Sequence, residues 1–461
     1  MNPSSTSDID QYCCNISADQ QESCTLMDQD YFYYEPTSVL DPNLAGSPAV
    51  PPEYFTTSWE FPSDDLSFLL PQKDDFTLPA LSFSDRDQLV DILLRAASAI
   101  DSDDPTTSHL LLTHLTHLFP SVSGSALQRS ALHFKDSLLS LLSRPRFSTD
   151  LPADLLHRVT AHKSFSDLSP VPQFSSFTTN QILLESLSSS SQALHIIDFD
   201  LGLGSQWSSF AEELAVRSRS SHTSPPSLRL TAIVPDDSCD FSLAADNLRD
   251  FARALGLRFS VDLVRVAALG TLALSGVRFS PGEAVAAVLT PAIFQLLGSN
   301  GPPDATSAAL LRFIRGSSPR AVVFVDTEPC CSSPSPSSSP SSFEQGFASG
   351  IEFYSALLDS LDSAASATGL GDDSVSRIER FLIRPRITST VGACGTRSTP
   401  WAEMFTSGGF SPAPFSGFTE SQAEWLLRRA PVDGFHVASK GEGLVLSWHG
   451  KDLVATSAWM C

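Results

Sequence analysis

An acidic turn that contains two glycines is the part of the sequence best suited to chemistry. The turn runs from Asp198 to Gly204, at the end of the short apolar run Ala193–Phe199. Such a run is typical of a buried parallel strand. Ligands of open α/β sheets bind beyond the carboxyl ends of the strands, where glycine lets the backbone approach and the next helix offers free N–H groups. The turn between the first predicted strand and the helix after it is therefore the candidate ligand-binding position.

The turn resembles the adenosylmethionine-binding turn of Rossmann-like methyltransferases, with one departure. Those enzymes favour Asp-x-Gly-x-Gly-x-Gly, and Asp200 stands at the first glycine position, ahead of Gly202 and Gly204. A carboxylate there lies close to the place of the cofactor's own carboxylate, and like charges repel strongly in a partly dry cleft. We therefore expect no cofactor. Asp236 and Asp237 follow the second predicted strand, where an acid would hold a ribose, so a methyltransferase remains an alternative.

Catalytic and metal-binding patterns are otherwise missing from the sequence. It contains no GxSxG elbow, HExxH pair or P-loop. His109, His114 and His117 lie among leucines without cysteine or acidic partners at metal spacing, so we expect a polar helix face rather than a zinc site. His195 lies inside the first predicted strand, where a hydrogen-bonded core histidine is the simpler interpretation. The chain is therefore predicted not to be an enzyme and to bind no metal.

Strands and helices alternate from about residue 192 onwards. This alternation predicts a Rossmann-like, methyltransferase-like doubly wound α/β core over residues 192–461, with right-handed crossovers. The predicted parallel strands are Ala193–Phe199, Leu228–Val234, Leu257–Val264, Ala284–Leu289 and Ala321–Asp326.

Three short strands are predicted at the end of the chain. They are Gly434–Val437, Leu444–Trp448 and Leu453–Trp459, and the turn at His449–Asp452 pairs the last two as an antiparallel hairpin. Four of the six tryptophans also lie in this region, where their large apolar area predicts an aromatic core that ties the hairpin to the helices. These tryptophans are Trp401, Trp425, Trp448 and Trp459.

Leucine-rich helices precede the core, over residues 85–145. Apolar residues recur there at helical spacing in three successive stretches, which predicts a small bundle or an N-terminal helical cap. Burial inside this cap accounts for most of the leucines, whereas a partner-binding surface needs apolar residues beyond those that the cap buries. The candidate partner-contact positions are Leu89, Leu93, Leu111, Leu115 and Leu118.

Charge separates the first part of the chain from the rest. The 461 residues carry a net charge of −23, and residues 1–84 hold fourteen Asp or Glu against one Lys. Aromatic residues alternate with these acids without regular periodicity, which predicts a disordered acidic arm that is either an activation-type segment or a solvated tail. The acidic balance also disfavours strong duplex binding, which needs clustered Lys and Arg. Arg377, Arg380, Arg384, Arg386 and Arg397 form the densest basic group and keep direct DNA binding open as an alternative.

The order of several motifs resembles that of the GRAS family. The residues Leu194, His195, Ile196, Ile197 and Asp198, followed by Gln206 and Trp207, are similar to its VHIID block. Ser280–Ala284, Phe353–Leu361 and Arg377–Glu379 resemble its PFYRE region. The end of the chain resembles its SAW block, through Trp401, Gly409, Trp448, Ser457, Ala458 and Trp459. The resemblance covers residues 85–461 and is nearest to the scarecrow-like and hairy-meristem branch.

This resemblance implies a plant nuclear regulator of transcription, involved in developmental gene control. It implies a GRAS domain over residues 85–461 that contacts DNA-binding transcription factors and coregulators. It also implies dimers with itself or with other GRAS proteins, DNA contact that is indirect or weak, and no membrane association. The interrupted apolar stretch around Pro291 is likewise too short to span a bilayer.

A titration of adenosylmethionine separates the regulator from the methyltransferase. We expect isothermal calorimetry to show no binding to the full chain at about 1 mM cofactor, because the Asp200 carboxylate repels the cofactor's carboxylate. An Asp200→Gly variant is measured alongside, because it restores the glycine that the methyltransferase turn favours. Micromolar binding by the natural chain would contradict the electrostatic argument and make the turn a ligand site.

Overall fold

The computed structural model describes residues 85–119, 122, 124–143, 152–187, 192–235, 240–266, 274–298, 303–328, 342–395 and 400–461. The predicted acidic arm (1–84), Asp236, Asp237 and Arg397 lie outside the described residues.

A nine-stranded sheet organises the described residues. Its strand order is β3-β2-β1-β4-β5-β9-β8-β7, and β6 pairs with β9 beside this path. The first five strands are mutually parallel, whereas β6 to β9 pair antiparallel. The strands are Ala193–Asp198 (β1), Ser227–Pro235 (β2), Phe259–Val266 (β3), Ala284–Leu289 (β4), Ala321–Asp326 (β5), Ser411–Ala413 (β6), Phe435–Lys440 (β7), Gly443–Trp448 (β8) and Lys451–Met460 (β9).

Helices account for most of the remaining described residues. They are Asp85–Asp101 (α1), Pro105–Leu118 (α2), Ala126–Leu142 (α3), Pro152–Leu168 (α4), Val171–Leu187 (α5), Ser205–Ser220 (α6), Asp240–Ala254 (α7), Ala292–Gly298 (α8), Pro303–Gly316 (α9), Phe343–Thr368 (α10), Asp372–Ile378 (α11), Arg384–Ala393 (α12), Trp401–Ser407 (α13) and Gly417–Leu427 (α14). A π-helical segment, Glu379–Ile383, joins α11 to α12.

The central parallel strands are buried on both faces, as the doubly wound prediction requires. Every residue of β4 and β5 is buried. In β1, Leu194 and Ile196 join the larger apolar core, which includes the helical layer, whereas Ile197 joins a second core on the opposite face. Residues that alternate along a strand point to opposite faces, so the two cores lie on the two sides of the sheet. The predicted fold class is confirmed.

The helical layer combines the N-terminal helices with α10 and α12 from later in the chain. The sequence predicted a cap formed by the N-terminal helices alone. Helix α3 packs mainly on α10 and α12, and α1 also packs on α10. Arg129 of α3 donates to Glu379 and to Asp362 at 2.8 Å each, and His133 lies 3.1 Å from the other oxygen of Glu379. These largely buried ion pairs hold α3 against α10 and the π-helical segment.

The terminal strands form the predicted hairpin. β8 and β9 pair antiparallel around His449 and Gly450, both of which have positive φ. Trp448 donates to Asp359 of α10 at 2.8 Å, so the hairpin is tied to the helical layer. The prediction is wrong for Trp425, whose side chain is 45% exposed on α14 and therefore adds little to the core.

Two glycines inside helices provide a test of the packing between α3 and α10. A Cβ atom at Gly350 would lie 2.6 Å from the ring of Phe134, whereas a Cβ at Gly392 in α12 meets nothing within 4 Å. We expect Gly350→Ala to destabilise the chain by about 1–3 kcal/mol through overpacking, although alanine is the better helix former. Gly392→Ala, the matched control, should stabilise it by about 0.4–1 kcal/mol. Urea unfolding measures both, and equal effects would contradict the close contact.

Candidate functional site

The turn after β1 is held by a buried carboxylate. Asp198 is 2% exposed, and its two oxygens accept hydrogen bonds from the indole N–H of Trp207 at 2.6 Å and from the backbone N–H of Asp200 at 3.0 Å. Trp207 lies in the first turn of α6 and is itself buried against Phe210. The bond therefore fixes the end of the strand to the start of the helix.

Burial dominates the electrostatics of Asp198. It raises the pKa of the carboxyl to about 7, and the hydrogen bonds from Asp200 and Trp207 oppose this rise only in part. The folded carboxyl therefore takes up a proton at a higher pH than a free aspartate does.

The carboxylate of Asp200 is directed across the sheet towards the neighbouring strand. Its Oδ2 accepts a hydrogen bond of 3.0 Å from the hydroxyl of Thr290, which follows β4. The residue that replaces glycine in the methyltransferase pattern is thus bound to the protein itself. The hydroxyl of Thr290 was not among the predicted site residues, because only the sheet order brings β4 beside β1.

The two glycines of the turn serve different purposes. Gly202 has a φ of 53°, and an added Cβ would meet no atom within 4 Å. Gly204 has a φ of 79° and caps α6, and a Cβ there would lie 2.9 Å from Leu248 of α7. Gly204 therefore allows α6 and α7 to approach each other, because Leu248 occupies the space that a side chain would need.

One polar position beside the turn has unused hydrogen-bonding capacity. Asn180 of α5 donates to the carbonyl of Gln206 at 3.4 Å. The Oδ1 of Asn180 and the Nε2 of Gln206 are buried and have no hydrogen-bond partner among the described residues. These two atoms are the polar groups near the predicted ligand position that the turn itself does not satisfy.

His195 is a hydrogen-bonded core histidine, as predicted. Its Nε2 lies 2.8 Å from the hydroxyl of Thr231 on β2, and its Nδ1 lies 3.5 Å from Glu283, too far and too poorly aligned for a strong hydrogen bond. Burial lowers the pKa of His195, and the nearby Arg229 lowers it further, against the opposing effect of Glu283. The neutral imidazole therefore joins β1 to β2 and is not an exposed base.

A second polar cluster lies beyond the carboxyl end of β5. Glu328 accepts hydrogen bonds of 2.6 Å from the hydroxyls of Tyr354 in α10 and Thr390 in α12. Burial, with the adjacent Glu328, raises the pKa of Tyr354 well above its usual value. The phenol thus stays protonated and joins the sheet to two helices. Residues 26 or more positions apart form this cluster, so no local sequence pattern indicates it.

The predicted SAW residues divide between the two faces of the sheet. Trp459 stacks on Phe405 at 4.9 Å between ring centroids, and its N–H donates to Ser457 at 3.0 Å. Trp401 packs on Phe324 at 4.7 Å within the same core. Ala458 pairs with Val323 of β5 and belongs to the other core. Trp448 belongs to the other core, with the helical layer.

Gly409 has a structural role in this region. It has a φ of 83°, and a Cβ there would overlap the guanidinium of Arg315 on α9. Both the backbone conformation and the close approach of Arg315 therefore favour glycine at this position.

Only some of the candidate partner-contact leucines reach the surface. Leu89, Leu93 and Leu115 are completely buried, and Leu111 is partly buried. Leu118 is 46% exposed, and Leu110, which the sequence prediction omitted, is 64% exposed. As a result, α1 contributes core residues where partner contacts were predicted, and the accessible leucines lie on α2.

The basic cluster considered for DNA contact is spread over several environments. Arg380 lies over the ring of Phe381 at 5.2 Å, and Arg384 is exposed, whereas Arg377 and Arg386 are partly buried. The described residues also contain no group of three or more His, Cys, Asp or Glu that could hold a metal ion. None of the helices in the described part of the chain is long and apolar enough to cross a membrane.

The raised pKa of Asp198 predicts a pH-dependent stability. Its usual pKa is 3.8 and its folded pKa is about 7, so between these values the folded chain holds a proton that the unfolded chain has released. The free energy of unfolding should therefore fall as the pH rises from about 4 to about 7, with a slope of up to about 1.4 kcal/mol per pH unit. Asp198→Asn keeps a hydrogen-bond acceptor but cannot titrate, so this slope should disappear. Urea unfolding at pH 5 and pH 8 measures it, and equal slopes in both proteins would contradict the assignment.

Similarity to known proteins agrees with the arrangement of motifs and strands. The GRAS domain family model matches residues 89–460. Scarecrow-like protein 15 of Arabidopsis thaliana is 34% identical over 438 residues, which cover 92% of this chain and 85% of that protein. Scarecrow-like protein 6 of the same plant is 36% identical over 379 residues, covering 80% of this chain and 62% of that protein.

More distant similarity extends to another branch and to a solved structure. DELLA protein 1 of Medicago truncatula is 26% identical over 449 residues, covering 90% of this chain and 72% of that protein. The crystal structure of SCL7 in Oryza sativa matches with a TM-score of 0.61 and 26% identity, covering 80% of this chain and 99% of that chain. These homologues are regulatory proteins, which supports a regulatory role in plant development. The chain belongs to the GRAS domain family, as a scarecrow-like member.

Proposed function

We propose that this chain is a nuclear regulator of transcription that acts by contacting DNA-binding transcription factors and coregulators, and that it does not catalyse a reaction. The observation that carries the proposal is the outer face of α2, where two leucines are exposed on a helix whose opposite face is buried. We call this surface, made by Leu110, His114 and Leu118, the α2 stripe.

The α2 stripe has the spacing of a helix that binds a protein. Its three residues are separated by four positions each and therefore lie on one face of the helix. Leu110 and Leu118 are 64% and 46% exposed, while Leu112 and Leu115 are completely buried against the neighbouring helices. A helix with one buried apolar face has no structural need for a second one, so the exposed leucines favour contact with a partner.

The hydrogen bonds of the turn support a role other than catalysis. Asp198 is bound to Trp207 and to the backbone of Asp200, and Asp200 is bound to Thr290. A general base or a cofactor ligand must be able to reach the substrate or the cofactor. These carboxylates are committed to joining strands and a helix, and opening the turn would leave buried polar groups without partners.

The charge of the chain supports regulation through partners rather than by direct DNA contact. A net charge of −23 repels phosphates, and duplex affinity comes largely from Lys and Arg that release counterions. A DNA-binding partner would supply those cations. Dimers with itself or with other GRAS proteins are compatible with the same apolar stripe.

A double substitution in the α2 stripe tests the proposal. We expect Leu110→Ser with Leu118→Ser to lower promoter occupancy in plant protoplasts by about tenfold or more, because apolar anchors carry much of the energy of an interface. Chromatin precipitation of the tagged chain measures occupancy, and microscopy measures its nuclear fraction. The purified chain alone should not shift the promoter fragments to which it is recruited.

A matched control lies on the same helix. Leu115→Ala removes a buried side chain and should destabilise the chain by about 2–5 kcal/mol, whereas the exposed double variant should change the free energy of unfolding by no more than about 1 kcal/mol. Unchanged promoter occupancy in the double variant, or exclusion of the natural chain from the nucleus, would refute the proposal.

A further inference from the structure

The outermost parallel strand, β3, has a free edge. It is the terminal strand on its side of the sheet and pairs with β2 over Phe259–Val266. Among the described residues no strand pairs with its other side. Eight residues make a long edge, and such edges present unpaired N–H and C=O groups to any extended chain.

The hydrogen-bond pattern identifies the residues that face this edge. Leu228 of β2 donates to the carbonyl of Arg258 at 2.8 Å, and in a parallel pair alternate residues direct both backbone groups to the same neighbour. Ser260 therefore faces β2, while the backbone groups of Val261, Leu263 and Arg265 point outward.

One outward carbonyl is already bound by a side chain. The guanidinium of Arg249, on α7, donates to the carbonyl of Val261 and also to the carboxylate of Asp246. This contact independently places the Val261 carbonyl on the outside of the sheet. A backbone N–H of an incoming strand can replace the guanidinium there, and the freed Arg249 can then bind an acidic side chain of that strand.

A groove follows the edge of β3. Its cavity volume is about 620 Å³. Helix α7 walls it on one side through Ser242, Ala245 and Arg249, and Gly276 and Arg278 line it as well. A groove with an open strand along its length fits an extended peptide, whose backbone would continue the sheet.

The charges around the groove identify the kind of peptide. Arg249 and Arg278 line the groove, and Arg258 and Arg265 lie at the two ends of the strand. All of these arginines except Arg249 are exposed. The lining itself holds two arginines and two acids, Asp246 and Asp262, and the exposed Arg258 and Arg265 add two positive charges along the strand in a chain whose net charge is −23. This local excess of positive charge complements an acidic segment.

We propose that the outer edge of β3 binds an extended acidic segment of a partner protein, which adds to the sheet as a further strand. The backbone of Val261, Leu263 and Arg265 would supply the main-chain hydrogen bonds, and the arginines would select acidic side chains. This inference rests on the proposed function in one respect, namely that partners are proteins. The edge is formed by residues other than those of the α2 stripe.

A defined peptide tests the site on the full chain. The probe is a fluorescein-labelled peptide of four Glu-Val repeats, and the matched control is four Lys-Val repeats. We expect fluorescence anisotropy to give a micromolar Kd for the glutamate peptide and no saturation with the lysine peptide. Arg265→Glu with Arg278→Glu should weaken binding of the glutamate peptide at least about tenfold.

The pairing of the peptide backbone with β3 is tested by a separate variant and a separate measurement. Leu263→Pro removes an outward N–H and leaves the β2 ladder intact, so it should weaken binding by about tenfold or more while the circular dichroism spectrum is unchanged. Hydrogen exchange on the natural chain gives a measurement that does not depend on this variant folding. The amides of Val261, Leu263 and Arg265 should exchange more slowly when the glutamate peptide is bound.

Four results would overturn the proposal. They are no saturable binding of the glutamate peptide up to about 1 mM, equal binding of the lysine peptide, unchanged exchange at the three amides in the bound state, and protection of these amides by self-association of the chain without peptide. The Leu110→Ser with Leu118→Ser variant should bind the glutamate peptide normally. Failure of the glutamate peptide to bind the β3 edge would leave the promoter-occupancy result for the α2 stripe unaffected, so the two proposals can fail separately.

Discussion

The hydrogen bond between the buried Asp198 carboxylate and the Trp207 indole is the contact on which the arrangement of the core depends. A buried carboxyl is costly unless it is hydrogen-bonded or protonated, and Asp198 uses both means. The bond sets the direction in which α6 leaves β1, and the backbone N–H of Asp200 fixes the turn between them. Asp200 is thereby directed to Thr290 and joins β1 to β4. A position that resembles a ligand site by sequence is thus occupied by contacts that stabilise the fold.

Two other polar residues of the sheet likewise use their hydrogen bonds to join elements of the fold. His195 joins β1 to β2 through Thr231, and Glu328 joins the end of β5 to α10 and α12 through two hydroxyls. Each of these residue types is common in catalysis, but each is bound to a partner more than 30 positions away in the chain. Buried polar contacts between distant residues specify which strands and helices are neighbours. At these two positions His195 and Glu328 therefore join neighbouring elements of the fold.

The sequence predicted eight of the nine strands that the structure describes, but neither β6 nor the contacts between elements. Continuous apolar runs predicted β4 and β5 at their observed bounds, because strands buried on both faces have no polar positions to blur their ends. Helices α4 and α5 were not predicted, since α5 is buried on several faces and α4 is amphipathic only weakly. The leucines show the limit most clearly. Leu115 and Leu118 are three positions apart and both fit a helical stripe, yet one is buried and the other is exposed. Only the packing of α1 and α3 around α2 decides between them.

The two surfaces proposed for partners differ in physics, and this difference bears on how an acidic regulator selects them. The α2 stripe is apolar, so its contribution comes from removal of leucine surface from water and depends little on salt. The β3 edge combines directional backbone hydrogen bonds with arginines, so association there should accelerate at low ionic strength and discriminate by charge. In a chain of net charge −23, an acidic partner is repelled everywhere except near a local excess of arginine. The proposed site at the edge of β3 would add specificity to the leucine contacts of α2, because leucine contacts accept many amphipathic helices whereas the edge would select an extended acidic chain.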